Sequence, residues 1–245
     1  MRWTFIILLM SILFLFGCRK ASNRKSSQKK EKVEITTTSP SSSKDTTLGV
    51  TSGSSVPLRI IDGWSIDEIK KANTAIDCNM LNNVEKDIIL YTNLARLDGK
   101  KFSDLYVKSR LNAQPNNSYI KSLVEDLSSI NDLPMLNPNE SLFKAAEFHA
   151  NDLGKSGTFQ HESTDGSTPS QRMKRYGFNY RTCGENIYAG QDDALGVLLV
   201  LLIDEGVKDV GHRKNILSAE FDEIGVARRP HKNYDYNVVQ DFGHR

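Results

Sequence analysis

Gly211-His212-Arg213-Lys214-Asn215-Ile216-Leu217 opens on a glycine, sets a histidine and an asparagine close together, and ends on two aliphatic residues. It is the last of three polar islands in the C-terminal part of the chain, after Phe159-Gln160-His161 and Gly184-Glu185-Asn186-Ile187. Imidazoles and carboxylates set beside turn-forming glycines are the groups that hold a metal ion or activate a water. His161 lies in a polar stretch, Ser156 to Ser163 followed by Asp165-Gly166, that reads as a loop. Glu185 precedes the alternating Ile187 and Ala189, which places it at the mouth of a strand. Glu205 follows an apolar run, Ala194 to Ile203, and a helix there would leave a carboxylate at the negative end of its dipole. That position needs a compensating cation, and His212 comes shortly after. Taken singly, each signal has a blander reading: Glu205 as a solvated helix end, His212 as a loop residue.

Working outward, Leu81, Val84, Ile88, Tyr91 and Ala95 recur at helical spacing and predict a helix over about Asn82 to Leu97, with Asn93 and Arg96 off its apolar stripe. Tyr119, Leu123 and Leu127 predict a shorter helix that ends near the turn cluster Asn131 to Pro138. Asn139 can cap a helix running to Gly154, with Leu142, Ala146, His149 and Leu153 along one side. A histidine on such a stripe reads as a core group bonded to backbone, so His149 stays outside the candidate site. Ser170 to Gly177 reads as a short helix. Ala194 to Ile203, capped by Asp192 or Asp193, reads as a helix buried on most sides and too short to cross a membrane. The chain turns after Gly206 and Gly211, and Ile224 to Arg229 and Tyr234 to Phe242 then carry strand character around Pro230-His231-Lys232-Asn233. Helices first and a terminal hairpin later, with no repeated strand-helix-strand unit, predict an α+β domain.

The N-terminus gives an address. Met1-Arg2 is positive, Phe5 to Phe16 is almost wholly apolar, and Leu15-Phe16-Gly17-Cys18 closes the run, the pattern of a secretory signal. Its apolar part falls short of the roughly 20 residues of a spanning helix. Leu-x-Gly-Cys resembles the bacterial lipobox, which implies cleavage before Cys18, acylation of that cysteine with palmitate-type chains, and a lipoprotein held on the cell envelope, outside the cytoplasm. Residues 19–62 form a Ser/Thr/Lys-rich tether without helical or alternating period, too polar to offset its ordering entropy. From Arg19 to Asp45 it carries eight Lys or Arg against three Asp or Glu, a net charge of +5. Dilution by Ser and Thr favours a solvated linker over a polymer-binding segment. The whole chain of 245 residues carries +2, which implies no nucleic-acid partner. Residues 63–245 suffice for one domain with a substantial core. With Cys18 lipidated, Cys78 and Cys183 remain, either bridged in an oxidising compartment or packed as thiols.

His161, Gly184-Glu185-Asn186-Ile187, Glu205, Gly211-His212-Arg213-x-Asn215-Ile216-Leu217, Ile224-Gly225-Val226 and Gln240-x-Phe242-Gly243, taken in order, resemble a bacterial member of the CAP superfamily. That is the superfamily of cysteine-rich secretory, antigen 5 and pathogenesis-related proteins, also called the SCP domain. The resemblance covers about 84–243, with Thr92-Asn93-Leu94-Ala95-Arg96 as its first-helix element. It implies a three-layer α-β-α sandwich with a cleft lined by His161, Glu185, Glu205 and His212. Glu205 stands in an unusual context, Leu202-Ile203-Asp204-Glu205, which leaves Asp204 as an alternative to it. Two imidazoles suit Zn²⁺, with Glu185 and Glu205 as partners that orient them, and Mg²⁺ or Ca²⁺ are alternatives. Two nitrogens are an incomplete donor set, so weak exchangeable binding is expected. The resemblance implies a cell-surface module that binds a ligand, such as a lipid, or a protein partner. The alternative is a metal-dependent hydrolase of envelope or host polymers, for which Glu185 and Glu205 are the candidate acid-base groups and no nucleophile is marked.

Overall fold

The computed structural model describes residues 60–245. The signal segment, Cys18 and all but the last residues of the tether lie outside the described residues. From Ile60 onward the chain belongs to one compact unit, Val56–Arg245.

The first helix, α1 (Ile66–Ala72), starts at Ser65, whose hydroxyl and backbone exchange hydrogen bonds with Glu68 in a capping box. Asn82 and Glu85 repeat the device at the start of α2 (Asn83–Leu97). Ile88, Ile89, Leu90, Leu94 and Ala95 of α2 are buried on nearly every side. The chain continues through α3 (Gly99–Phe102), a π-helical turn (Ser103–Val107) and α4 (Lys108–Ala113) into α5 (Ser118–Ser128), which buries Ile120, Leu123 and Leu127. After the two-residue strand β1 (Asn137–Pro138), Asn139 caps α6 (Glu140–Ser156), which buries Leu142, Ala146, His149 and Leu153 and ends at the left-handed Gly157. Then come α7 (Pro169–Arg175), β2 (Thr182–Gly190), α8 (Ala194–Ile203), α9 (Gly211–Leu217), β3 (Glu223–Pro230) and β4 (Tyr236–His244).

The strands form one sheet in the order β1-β3-β4-β2, with β3, β4 and β2 antiparallel and β1 parallel to β3. Helices α6 and α7 cover one face, and α2, α8 and α9 the other, which makes the α-β-α sandwich expected from the sequence. Gly225 lets α6 lie directly on β3, because a Cβ there would sit 2.1 Å from the Leu142 carbonyl carbon and 2.2 Å from the Phe143 nitrogen. Alternation along the strands separates two sets of polar side chains. Glu185 and Asp241 point to the α6/α7 face, Asn186 and Gln240 to the α9 face. Among the described residues no helix is long and apolar enough to cross a membrane.

Most elements match the sequence-based expectation. The segment from Gly211 is the helix α9 and not the expected turn, and Glu185 stands inside β2 rather than at its mouth. Cys78 and Cys183 are free thiols. Cys78 packs against the large core and Cys183 against the small cluster of Leu142, Ala145, Met173 and Phe178 on the α6/α7 side, so the sheet's layering keeps them from pairing.

Candidate functional site

The site grows from β2, an edge strand whose two faces each support one histidine. On the α6/α7 face, Glu185 Oε1 lies 2.7 Å from His161 Nδ1, and Glu185 Oε2 accepts from Arg172 Nη2 of α7. The Glu185 side chain is almost fully buried, while that of His161 is 56% exposed, so the pair brings a buried carboxylate to the surface through an imidazole. The loop that carries His161 is fixed from below. His149 of α6 is wholly buried and reaches Ser163 Oγ with Nδ1 and Gln160 O with Nε2, both at 2.9 Å. It is thus the core histidine the sequence suggested, and burial pushes it below the ordinary histidine range. From above, His231 Nε2 donates to Thr158 O at 3.0 Å and Asn233 Nδ2 to Gly157 O at 2.8 Å, which tethers the same loop to the β3–β4 hairpin.

On the other face, the acid that meets His212 is Asp204. Its Oδ1 lies 2.6 Å from His212 Nδ1, and its Oδ2 accepts from the backbone N–H of His212 at 2.9 Å. Glu205, assigned to the cleft by motif position, is exposed and receives only Asn117 Nδ2 at 3.3 Å. The cause is local. Asp204 ends α8 with φ 56°, a left-handed turn that swings its own carboxylate beneath the start of α9 and sends the next side chain outward. Val210, with φ 47°, re-aims the chain into α9. A β-branched residue at positive φ is strained and persists only where its surroundings hold it.

Two asparagines join the faces. Asn186 Nδ2 donates to His212 O at 3.1 Å, and Asn215 Nδ2 donates to Asn186 Oδ1 at 2.8 Å and to Glu185 O at 3.3 Å. Arg213 locks α9 in place, donating to Leu202 O, Ile203 O and Tyr119 O and pairing with Asp126 Oδ2 at 2.9 Å.

Opposite a carboxylate oxygen, each Nδ1 is assigned the ring proton, which leaves Nε2 of His161 and of His212 with a free lone pair. That is how carboxylate partners prepare imidazoles for a metal. The donor count is low, however: among the described residues no group of three or more His, Cys, Asp or Glu is placed to hold an ion. The residues form two His-carboxylate pairs rather than one four-membered cage. Ser163 meets His149, but the serine is buried and its oxygen also accepts from Arg172 Nη1 at 3.0 Å, so it offers no exposed nucleophile. A cavity of about 320 Å³ between Pro134, Arg181, Asp222 and His244 includes neither pair. Arg172 and Asp241, both buried beside Glu185, belong to no motif of the sequence. A polar Gln240-Asp241 step inside the apolar run Val238 to Phe242 was the signal for the latter.

Residues 122–242 match the family model of the cysteine-rich secretory protein family, CAP. Over 112 residues the chain is 35% identical to the uncharacterized protein YkwD of Bacillus subtilis (strain 168), a match covering 44% of this chain and 42% of that protein. The match thus spans less than half the length of that relative. Among solved structures the chain is similar to an extracellular protein containing an SCP domain from Bacillus anthracis, with TM-score 0.43, 22% identity, and 74% of this chain and 44% of that one covered. It is similar also to an outer surface protein of Borrelia burgdorferi, with TM-score 0.40, 23% identity, and 56% of this chain and 95% of that one covered.

Proposed function

This chain is a bacterial member of the CAP superfamily, and from that premise we propose that it is an envelope lipoprotein, anchored through acylated Cys18, whose domain binds a ligand or partner and holds a weakly bound divalent cation, Zn²⁺ foremost, at His161 and His212. The observation that carries the reading is the pairing of each imidazole Nδ1 with a buried carboxylate, at 2.7 Å and 2.6 Å. Both rings are thereby oriented, with Nε2 free. A bound cation would supply a positive charge and an exchangeable coordination position. The chain's own contribution is to fix the two rings and to keep Glu185 and Asp204 out of water. A metal-dependent hydrolase is the second reading, with a cation-activated water as its nucleophile. The anchor rests on the sequence Met1 to Cys18.

Calorimetric titration of Zn²⁺ into the folded unit, residues 56–245, tests the cation. Binding is expected in the wild type and not in the His161→Ala/His212→Ala variant. Asp204→Asn should weaken it by about 10- to 100-fold, as loss of an orienting partner does, whereas Glu205→Gln should leave it unchanged. Equal heats for wild type and double variant would remove the cation from this account.

A further inference from the structure

Glu185 of β2 and Asp241 of β4 are direct cross-strand partners, and Gly225 completes the row on β3. Asp241 is wholly buried, and neither of its carboxyl oxygens has a hydrogen-bond donor in reach. The titratable groups that face it are few. From β2 come Glu185 and, further off, Cys183; α7 supplies Arg172; His149 of α6 and the exposed ring of His161 stand on the far side of Glu185; β3 offers only Gly225. Arg172 spends its donors on Glu185 Oε2, His161 O, Ser163 Oγ and Ser167 O, and its Nε reaches no acceptor. Two buried carboxyls therefore stand against one guanidinium.

Two carboxylates facing one another are acceptor against acceptor, and the contact becomes a hydrogen bond only when one of them holds a proton. Glu185 already accepts from His161 and Arg172, one on each oxygen, so the proton belongs on its neighbour. Burial first, and then the Glu185 charge, push the Asp241 carboxyl well above the usual carboxylate range. We propose that Asp241 is an un-ionised carboxylic acid at neutral pH, donating its proton to Glu185 and acting as the positioning residue that holds Glu185 beneath His161. The inference stands apart from the cation and from any ligand.

The sign of the pH effect follows. In the interval between the ordinary aspartate range and the raised native value, the folded chain binds a proton that the unfolded chain has released. The Asp241 contribution is then full at acid pH and declines as pH rises through that interval. Asp241→Asn keeps a donor toward Glu185 and does not titrate. The folding constant of Asp241→Asn relative to wild type is therefore expected to climb with pH between about 5 and 8, by up to about tenfold per pH unit. Urea unfolding of the whole chain across that range reads the ratio. A pH-independent offset would overturn the proposal, as would a ratio that falls with rising pH. Should Asp241→Asn fail to fold, the wild type decides: its infrared spectrum with labelled aspartate must contain an un-ionised carboxyl C=O band at pH 7, and absence of that band overturns the proposal. The positioning role has its own readout in the ring ¹⁵N shifts of His161. Asp241→Asn should retain the Nδ1–H tautomer and Asp241→Leu, which has no donor, should lose it; identical shifts in the two variants would rule the role out.

Discussion

Arg96, Arg172 and Arg213 are the largest of the fully buried side chains, and each donates to more backbone carbonyls than carboxylates. Arg96 donates to Pro134 O, Ile216 O, Ser218 O and Phe221 O at 2.7–3.0 Å, and burial lowers its pKa to about 10. Arg96→Met would strand those carbonyls and should destabilise the fold by at least about 3 kcal/mol, read from urea midpoints at constant slope. Arg96→Lys should recover only part of that loss, because one ammonium cannot span carbonyls that a planar fork reaches together. Arg96 and Asn93 also mark a limit of the sequence. Both fall off the apolar stripe of α2, yet both are buried, Asn93 closing bonds to Ala72 O and to Leu136 N and O. Periodicity reports where apolar groups lie and is silent on polar groups satisfied inside. The site divides in the same way. His161, Glu185 and His212 were legible from motif spacing, whereas the choice of Asp204 over Glu205 depended on one φ angle that no residue type announces.

The joint between α8 and α9 concentrates the backbone strain of this site. Asp204 and Val210, two of the non-glycine residues at positive φ, bracket it. Glycine at position 210 would relieve the Cβ clash, so Val210→Gly should be neutral or stabilising by up to about 1 kcal/mol, against the loss usual for that exchange. Thermal unfolding checks the sign, and a clear drop in Tm would mean that Val210 is retained for its packing. Long elements with a side-chain cap were readable: Asn82, Asn139 and Asp193 each start a helix close to where the pattern placed it. Helix α9 was not, because its N-cap makes no side-chain bond and its seven residues have too few turns to show a period. Helix α1 was equally short, although Ser65 and Glu68 of its capping box stood in the sequence as a usable signal.

At the scale of the molecule, helices preceding a terminal hairpin were enough to predict an α+β domain, its three layers followed from the family resemblance, and the state of the cysteines was beyond sequence, since spacing does not tell which face of a sheet a residue occupies. With Cys78 and Cys183 free in separate layers, reductant should leave the Tm of residues 56–245 unchanged, and two thiols should become reactive on unfolding. A fall in Tm on reduction would contradict the layering described above. The Arg96 fork also bears on the order in which the protein can be completed. Its acceptors at 216, 218 and 221 lie 120–125 residues further along the chain, and the strand that sets Asp241 beside Glu185 follows every other described element. A nascent chain must therefore keep the Arg96 cation of α2 waiting until another 120–125 residues have been made. Any product cut short of β4 would have its histidines but not the floor beneath them.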